Sequence, residues 1–375
     1  MAKYQVLNEI TISSNTLEHN FEYFASLNPQ AQIAPVLKAN AYGHDLKLVA
    51  NYVDSKLKVP FLCVDSLYEA YELHKARVTT PIFIMGYTDP ANYGVWKKLP
   101  FIFSVWDQKT LLALNKHQPG ARIHLKLDTG MSRLGLQMTE IQNFLKTLSK
   151  CNNLRIEGVY SHLSQADDPS RITFTRRQIA LFKEMVSHFE KAGFNFKYKH
   201  IASTAGATTI RDSYFNLIRL GLGFYGYSPF GPHTKEGRGL RENLKPTLTL
   251  TSRIAHLKTL SPGDQVGYGG IYQAKQKELI AILPLGYSDG ISRSLSNRTS
   301  FVIRGTACPV VGNISMNMTT IKIPRTINAR VGDQVTVISS NVKSPCSVYQ
   351  LASLLNTIPY TILTNLHSST RRTLI

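Results

Sequence analysis

Several apolar runs of strand length stop at residues that can do chemistry. Residues 34–37 deliver Lys38, with Tyr42 close behind it, and the run from Arg122 ends at Lys126 and Asp128 with Arg133 in the loop beyond. Later runs stop at His162, at Ser203-Thr204, and at Arg219 just ahead of Gly221-Leu222-Gly223. An ammonium group at the end of a buried strand is costly to desolvate, so Lys38 is expected to be paired, deprotonated or covalently converted. Taken singly, each residue has a plainer explanation: a lysine snorkels to solvent, a histidine is held structurally, an arginine sits in a surface ion pair. The joint pattern argues for a site, because one face of the fold would collect all of them.

Ser203-Thr204-Ala205-Gly206 offers hydroxyls and approachable amides, and Gly221-Leu222-Gly223 offers more amides. Both suit a phosphate dianion. A lysine nucleophile beside a phosphate cradle is what pyridoxal phosphate requires: the amine forms a Schiff base with the aldehyde, the phosphate anchors one end, and a side chain at the ring nitrogen tunes the electron sink. Arg219 in that last position would leave the ring nitrogen unprotonated, since a permanent cation opposes a second positive charge. The weaker sink disfavours transamination and suits simple proton exchange at Cα. Other motif matches fail in context. Residues 221–226 have the spacing of a dinucleotide loop, but Tyr227-Ser228-Pro229 follows where a helix would have to open. Asp128-Thr129-Gly130 lacks the second matched aspartate of an aspartic protease, and Ser288-Asp289-Gly290 has the wrong order.

The elements that would hold these residues repeat regularly. Strands are predicted at 33–38, 61–65, 81–85, 101–105, 122–128, 154–162, 198–203 and 216–221, with helices between most of them; a helix at 14–27, N-capped by Ser14, precedes the first. This α/β pattern points to a TIM-type (β/α)8 barrel with its site at the C-terminal ends of the strands. An open doubly wound sheet uses the same local grammar, and spacing alone does not separate the two. Residues 1–231 are assigned to the barrel, the glycine-rich 232–244 to a linker, and 245–375 to a C-terminal all-β domain closed by a helix at 348–356. A strand at 4–13 is a candidate to pair with that β domain.

Composition bounds the rest. Apolar content of 43% and charged content of 18% describe a folded globular chain, and no apolar run has the length of a signal peptide or a membrane span. A cytoplasmic location is expected. Cys63, Cys151, Cys308 and Cys346 are scattered, without the pairs of a zinc or redox motif, and no metal is expected. The net charge of +19 is spread through the chain without a nucleic-acid motif, so neither nucleic acid nor membrane is expected as a partner. The positive field would help draw in an anionic cofactor.

Five stretches resemble the alanine racemases, the barrel-type pyridoxal-phosphate enzymes. They are Val36-Leu37-Lys38-Ala39-Asn40-Ala41-Tyr42-Gly43-His44, Lys126-Leu127-Asp128-Thr129-Gly130-Met131-Ser132-Arg133-Leu134-Gly135, Arg219-Leu220-Gly221-Leu222-Gly223-Phe224-Tyr225-Gly226, Val266-Gly267-Tyr268-Gly269-Gly270 and Gly312-Asn313-Ile314-Ser315-Met316-Asn317-Met318. The likeness covers nearly the whole chain. It implies that Lys38 carries the cofactor and acts as one base, and that Tyr268, supplied by the second subunit of a homodimer, acts as the other. Arg133 would orient Tyr268 and the substrate carboxylate, His162 would hold Arg219, and Met316 would offer its amide to the carboxylate. By the same resemblance Tyr42, Ser203, Thr204, Gly221 and Leu222 lie at the phosphate, with Ser368 about where some relatives place a tyrosine. Lys126 matches a lysine that is carbamylated in some relatives. Asn317 stands where many have aspartate, which bears on the substrate entrance. The implied function is interconversion of L- and D-alanine, supplying peptidoglycan in a bacterium. The alternatives are a broader amino-acid racemase, a decarboxylase of related architecture, and a non-catalytic carrier, the last lacking a β domain.

Overall fold

The computed structural model describes residues 5–375. The chain forms two compact units, one made of Glu18–Ala41 and Val49–Leu244, the other of residues 5–17 with Tyr42–Leu48 and Lys245–Ile375. No helix among the described residues is long and apolar enough to cross a membrane.

In the first unit Leu62–Val64, Ile82–Ile84, Ile102–Val105, Arg122–Lys126, Arg155–Tyr160 and Tyr198–His200 form a parallel ladder in chain order, and Gln32–Pro35 pairs in parallel with Leu217–Leu220. The two pieces close into a ring. Val36 bridges to Cys63 on one side, and the Arg219 amide donates to the Ala202 carbonyl at 3.1 Å on the other. An open doubly wound sheet would leave two free edges, so the eight strands are those of a (β/α)8 barrel. Ile82–Ile84 and Ile102–Val105 are buried at every position, which is why they read as unbroken apolar runs.

Helix starts follow side-chain caps. Ser66 accepts from the Glu69 amide to begin Leu67–Lys75, and Asp107 accepts from the Thr110 amide to begin Gln108–His117. Ile172–Lys191 buries Ile179, Phe182, Met185, Val186 and Phe189, a spacing of three and four that puts them on one face. Residues 232–244, expected to be a linker, instead contain the helix Lys235–Asn243, which belongs to the barrel unit. Thr234 caps it by accepting from the Gly237 amide at 3.0 Å, and buried Leu240 anchors it. Gly237 is needed for packing, since a Cβ there would lie 2.1 Å from the Gly231 carbonyl oxygen.

The second unit is rich in sheet. Its main sheet runs Thr306–Pro309, Ser300–Ile303, Gln334–Ile338, Leu248–Arg253, Glu9–Ile12, Arg371–Leu374, and a smaller one joins His256–Leu260, Glu278–Leu283 and Thr319–Ile323. Glu9–Ile12 pairs antiparallel with Leu248–Arg253 and parallel with Arg371–Leu374; Tyr4, where the sequence reading began this strand, lies outside the described residues. Ser13, not Ser14, caps the helix Ser14–Leu27: its Oγ accepts from the Thr16 amide at 3.4 Å, while the Ser14 hydroxyl donates to the Ile375 carbonyl. The tail also continues past the expected closing helix into Pro359–Thr364 and the last strand.

Arg372 ties this tail to the segment after Lys38. Its guanidinium donates to the carbonyls of Gly43, His367, Thr370 and Leu366 at 2.8 to 3.1 Å. Arg372→Met leaves those acceptors without their charged donor and should lower unfolding stability by about 1–3 kcal/mol. Chemical denaturation measures this directly.

Candidate active site

Lys38 stands where the first barrel strand gives out. Pairing ends at Pro35 and Val36, the Leu37 amide donates to the Cys63 carbonyl at 2.7 Å, and the next residues turn left-handed. Ala39, Asn40, Ala41 and Tyr42 have φ of 54°, 54°, 53° and 52°. Such a run costs L-residues free energy at every step and survives only where surroundings over-determine it. Glu69 is one determinant: its carboxylate accepts from the Asn40 amide at 3.4 Å and from the Asp65 amide at 2.9 Å. The Lys38 side chain is 39% exposed and its Nζ lies 4.0 Å from Asp65 Oδ1, so the desolvation cost expected at the end of a buried strand is only partial. The ladder stops before Lys38, which leaves the side chain partly open to solvent. Ala39 is exposed, so its substitution reports on backbone strain alone. Ala39→Val should lower stability by about 1–3 kcal/mol while Ala39→Gly does not, because only glycine adopts this φ freely.

Arg219, 3% exposed, is the electrostatic centre of the barrel interior. Its Nη1 donates to His200 Nδ1 at 2.6 Å and to the His200 carbonyl at 3.2 Å. Its Nη2 donates to the carbonyls of Ser161 and Ile201 at 2.7 and 3.3 Å and to His162 Nδ1 at 3.2 Å. The Tyr160 ring lies 5.1 Å below the guanidinium carbon. No carboxylate pairs with Arg219 among the described residues, so a buried cation is satisfied by neutral acceptors only. His162 can serve because burial, then the charges of Arg219, Lys38, Arg133 and Lys126, push its pKa down to about 3 and keep it neutral. Every one of these bonds uses Nη1 or Nη2, which leaves Nε as the remaining donor.

The expected phosphate cradle has the right donors. Thr204 is 3% exposed and its hydroxyl accepts from the Gly223 amide at 3.1 Å. A Cβ on Gly223 would meet Thr204 Cγ2 at 2.7 Å and Phe24 at 2.6 Å, so glycine lets the two loops touch. The amides of Thr204, Gly221 and Leu222 are buried and donate to no acceptor among the described residues. Buried amides without acceptors are costly and fit an anion with several oxygens. Residues 222–225 make a single 3₁₀ turn, not the helix that a dinucleotide loop requires. Taken with Lys38 and the free Nε of Arg219, these donors fit pyridoxal phosphate.

Lys126 is 8% exposed, with its amine over the rings of Trp106 at 5.5 Å and Tyr160 at 5.6 Å. Burial, then the charges of Arg133 and Arg219, lower its pKa to about 8. Arg133 itself is exposed, on a loop fixed by Asp128, whose Oδ1 accepts from the amides of Gly130, Met131 and Ser132 at 2.9 to 3.1 Å. Asp128 is thus a loop-forming residue.

In the second unit Tyr268 is 72% exposed at the tip of the hairpin Gln265–Val266 and Tyr272–Gln273. Gly267, Gly269 and Gly270 carry positive φ around it, and Asn313 Nδ2 donates to the Tyr268 carbonyl at 2.7 Å. The Tyr272 hydroxyl and Lys322 both donate to Glu278, at 2.5 and 2.8 Å, pinning the hairpin base. Met316 is 56% exposed and its carbonyl accepts from Ser288, whose hydroxyl also accepts from Asn317 Nδ2 at 2.8 Å. Tyr42 packs against Tyr360, with ring centroids 5.8 Å apart. Ser368 is exposed in the turn before the last strand. The residues that the sequence reading missed are Glu69, Tyr160, His200 and His124; none of them stands at the end of a predicted strand, so none gave a signal.

Two family models match the chain, alanine racemase N-terminal domain over residues 12–229 and alanine racemase C-terminal domain over residues 247–374. An alanine racemase of Citrifermentans bemidjiense is 34% identical over 373 residues, covering 97% of this chain and 96% of that one. Among solved structures, an alanine racemase of Clostridium difficile 630 superposes with TM-score 0.91 at 29% identity, covering 100% of this chain and 97% of the other. That of Bacillus anthracis with bound L-Ala-P gives 0.90 at 28% identity, covering 100% and 96%.

Proposed function

Because the chain belongs to the alanine racemase family, we propose that it interconverts L-alanine and D-alanine with pyridoxal phosphate as its cofactor. The observation that carries the chemical part of this reading is Arg219, a buried guanidinium with neutral partners and one donor to spare. Lys38 would hold the cofactor covalently. Ser203, Thr204, Tyr42 and the amides of Gly221 and Leu222 would hold its phosphate, with Ser368 nearby, and Arg219 would donate Nε to its ring nitrogen. When bound, the cofactor supplies an electron sink for the pair left at Cα.

Inverting Cα requires a proton to leave one face and another to arrive on the opposite face, and two groups on opposite sides are the simplest solution. Lys38 Nζ takes or returns the proton on one face. The Tyr268 hydroxyl does so on the other, and Arg133 and the Met316 amide orient the substrate carboxylate. Tyr268 serves the site of a second copy of the chain in a homodimer. Support for that pairing comes from Tyr268, Ile271, Tyr287, Met316 and Met318, large apolar side chains all exposed on one unit. Four free cysteines suit a reducing compartment, and we place the enzyme in the cytoplasm, where in a bacterium D-alanine would feed peptidoglycan. A broader specificity is tested by a panel: serine, lysine or arginine racemised as efficiently as alanine would replace the narrow reading.

Lys126 is proposed to be carbamylated, which would let it accept a hydrogen bond from Arg133. Carbon dioxide adds to the neutral amine, and with the pKa lowered to about 8 that form grows as pH rises from 7 to 9. The expected result is a ¹³C-bicarbonate carbamate signal that increases over this range and is absent from Lys126→Met. A signal unaffected by the substitution would assign it elsewhere.

A further inference from the structure

Behind Arg219 the hydrogen bonding continues inward. His200 Nε2 lies 2.9 Å from His124 Nδ1, so Arg219, His200 and His124 form a chain running away from the barrel mouth. Both rings are fully buried. The direction of every bond follows from one fact, that a guanidinium only donates. Because Arg219 Nη1 donates to His200 Nδ1, that nitrogen carries no proton, and the single proton of a neutral His200 must sit on Nε2. His200 therefore donates to His124 Nδ1, and the proton of His124 sits on its own Nε2. The reverse order would require His200 to accept at both nitrogens, an imidazolate. A cationic His200 would turn an N–H against the guanidinium.

The rings are also fixed in place. His200 stacks on Tyr160 with an interplanar angle of 5°. The His124 ring packs against Phe83 and Phe61 at 4.6 and 5.3 Å, and its Nε2 has no hydrogen-bond partner among the described residues, which makes it the end of the chain. Room for it comes from Gly158 on the adjacent strand: a Cβ there would lie 2.8 Å from three atoms of the imidazole. The strand pairing is irregular between Ile123 and His124, the one register shift in this ladder among the described residues. Burial and the charge of Arg219 also push the His124 pKa down to about 3 and that of His200 well below its usual value, so both stay neutral.

We propose that His124, seated against Gly158, is a positioning residue that acts through His200: by accepting the His200 Nε2 proton it holds the His200 ring with Nδ1 facing Arg219, and so fixes the guanidinium at the site. The functional consequence rests on Arg219 addressing the cofactor ring, as proposed above; the proton assignment does not. Without the His124 acceptor, a buried N–H is orphaned and the cheapest relief is rotation of the His200 ring, which takes the acceptor away from Arg219.

The test has two arms. In the first, ¹⁵N-histidine spectra of the intact protein are recorded, with His124→Asn and His200→Asn used only to assign signals. Both rings are expected to show an unprotonated Nδ1 and a protonated Nε2; a protonated Nδ1 on His200 or an imidazolium on either ring overturns the proposal, whatever reaction the protein catalyses. In the second, His124→Leu removes the acceptor and His124→Asn replaces it with a carbonyl oxygen near the Nδ1 position. His124→Leu is expected to lower kcat roughly ten- to a hundredfold, the scale of a small misplacement at a reacting centre, with KM for alanine little changed. His124→Asn should recover most of the loss. Equal impairment in both variants, or wild-type kcat in His124→Leu, refutes the positioning role. Wild-type protein without racemase activity but with the assigned tautomers would overturn the functional reading alone.

Discussion

Replacing Lys38 by alanine is expected to reduce kcat/KM by roughly 10³-fold or more, because proton transfer by a positioned base is itself worth about 10²–10⁴ and the covalent hold on the cofactor is lost with it. The fold should be unaffected. Lys38 is partly exposed at a strand end, its only ion pair among the described residues is a 4.0 Å contact with a more exposed Asp65, and such pairs contribute about 0–1 kcal/mol. Borohydride treatment of the wild-type protein should fix the cofactor to the peptide containing Lys38, and Lys38→Ala should lose both the visible cofactor absorbance and the mass addition. Lys38→Arg separates charge from nucleophilicity. A guanidinium preserves the cation but neither forms the covalent link nor deprotonates, so it should be as inactive as alanine. Turnover within tenfold of wild type in either variant would remove Lys38 from the mechanism.

Tyr268→Phe is expected to lower turnover by about 10²–10⁴-fold, and to do so unequally. The hairpin that carries the ring is held by other groups: Asn313 binds the backbone carbonyl of residue 268, and Glu278 binds Tyr272 and Lys322 at the base. Loss of one exposed hydroxyl should therefore change stability by no more than about 0.5 kcal/mol. With Lys38 intact, one face of Cα still exchanges. Solvent deuterium should enter from one enantiomer and not the other, and little of the mirror product should form. Equal exchange from both enantiomers would show that a single group, or water, serves both faces. Asn313→Ala tests the support separately: with the hydroxyl present but the tip loosened, kcat should fall for both directions together.

The residues at strand ends were legible because chemistry interrupts an apolar run. Lys38, His162 and Arg219 each break a stretch that burial otherwise explains, and a barrel collects such breaks on one face. Closure of the barrel was not legible, since the bond from Arg219 to Ala202 and the bridge from Val36 to Cys63 depend on strand stagger and not on composition. Nor was the cluster behind Arg219. His124 and Tyr160 lie inside strands, and only closure brings residues 124, 160, 200 and 219 together. The left-handed turn after Lys38 was hidden for another reason. Ala39-Asn40-Ala41 contains no glycine, and its conformation is imposed by Glu69 and its surroundings against local preference. The same competition misled the reading at residues 232–244, where Gly237 and Gly239 signalled a loop but lie in a helix, Gly237 serving close packing there. Lys38 is the instructive case: its role was inferred from the cost of burial, yet the side chain is 39% exposed, and position at the strand end carries the inference.

The most direct measurement of the central claim is ¹H NMR of the holoenzyme with L-alanine, and separately D-alanine, in deuterium oxide, with optical rotation followed in parallel and carbon dioxide trapped. The expected result is loss of the Cα proton signal from both enantiomers with rotation decaying to zero at matching rates and no carbon dioxide released. Exchange with rotation retained, or carbon dioxide release without racemisation, would contradict two-base racemisation by this chain.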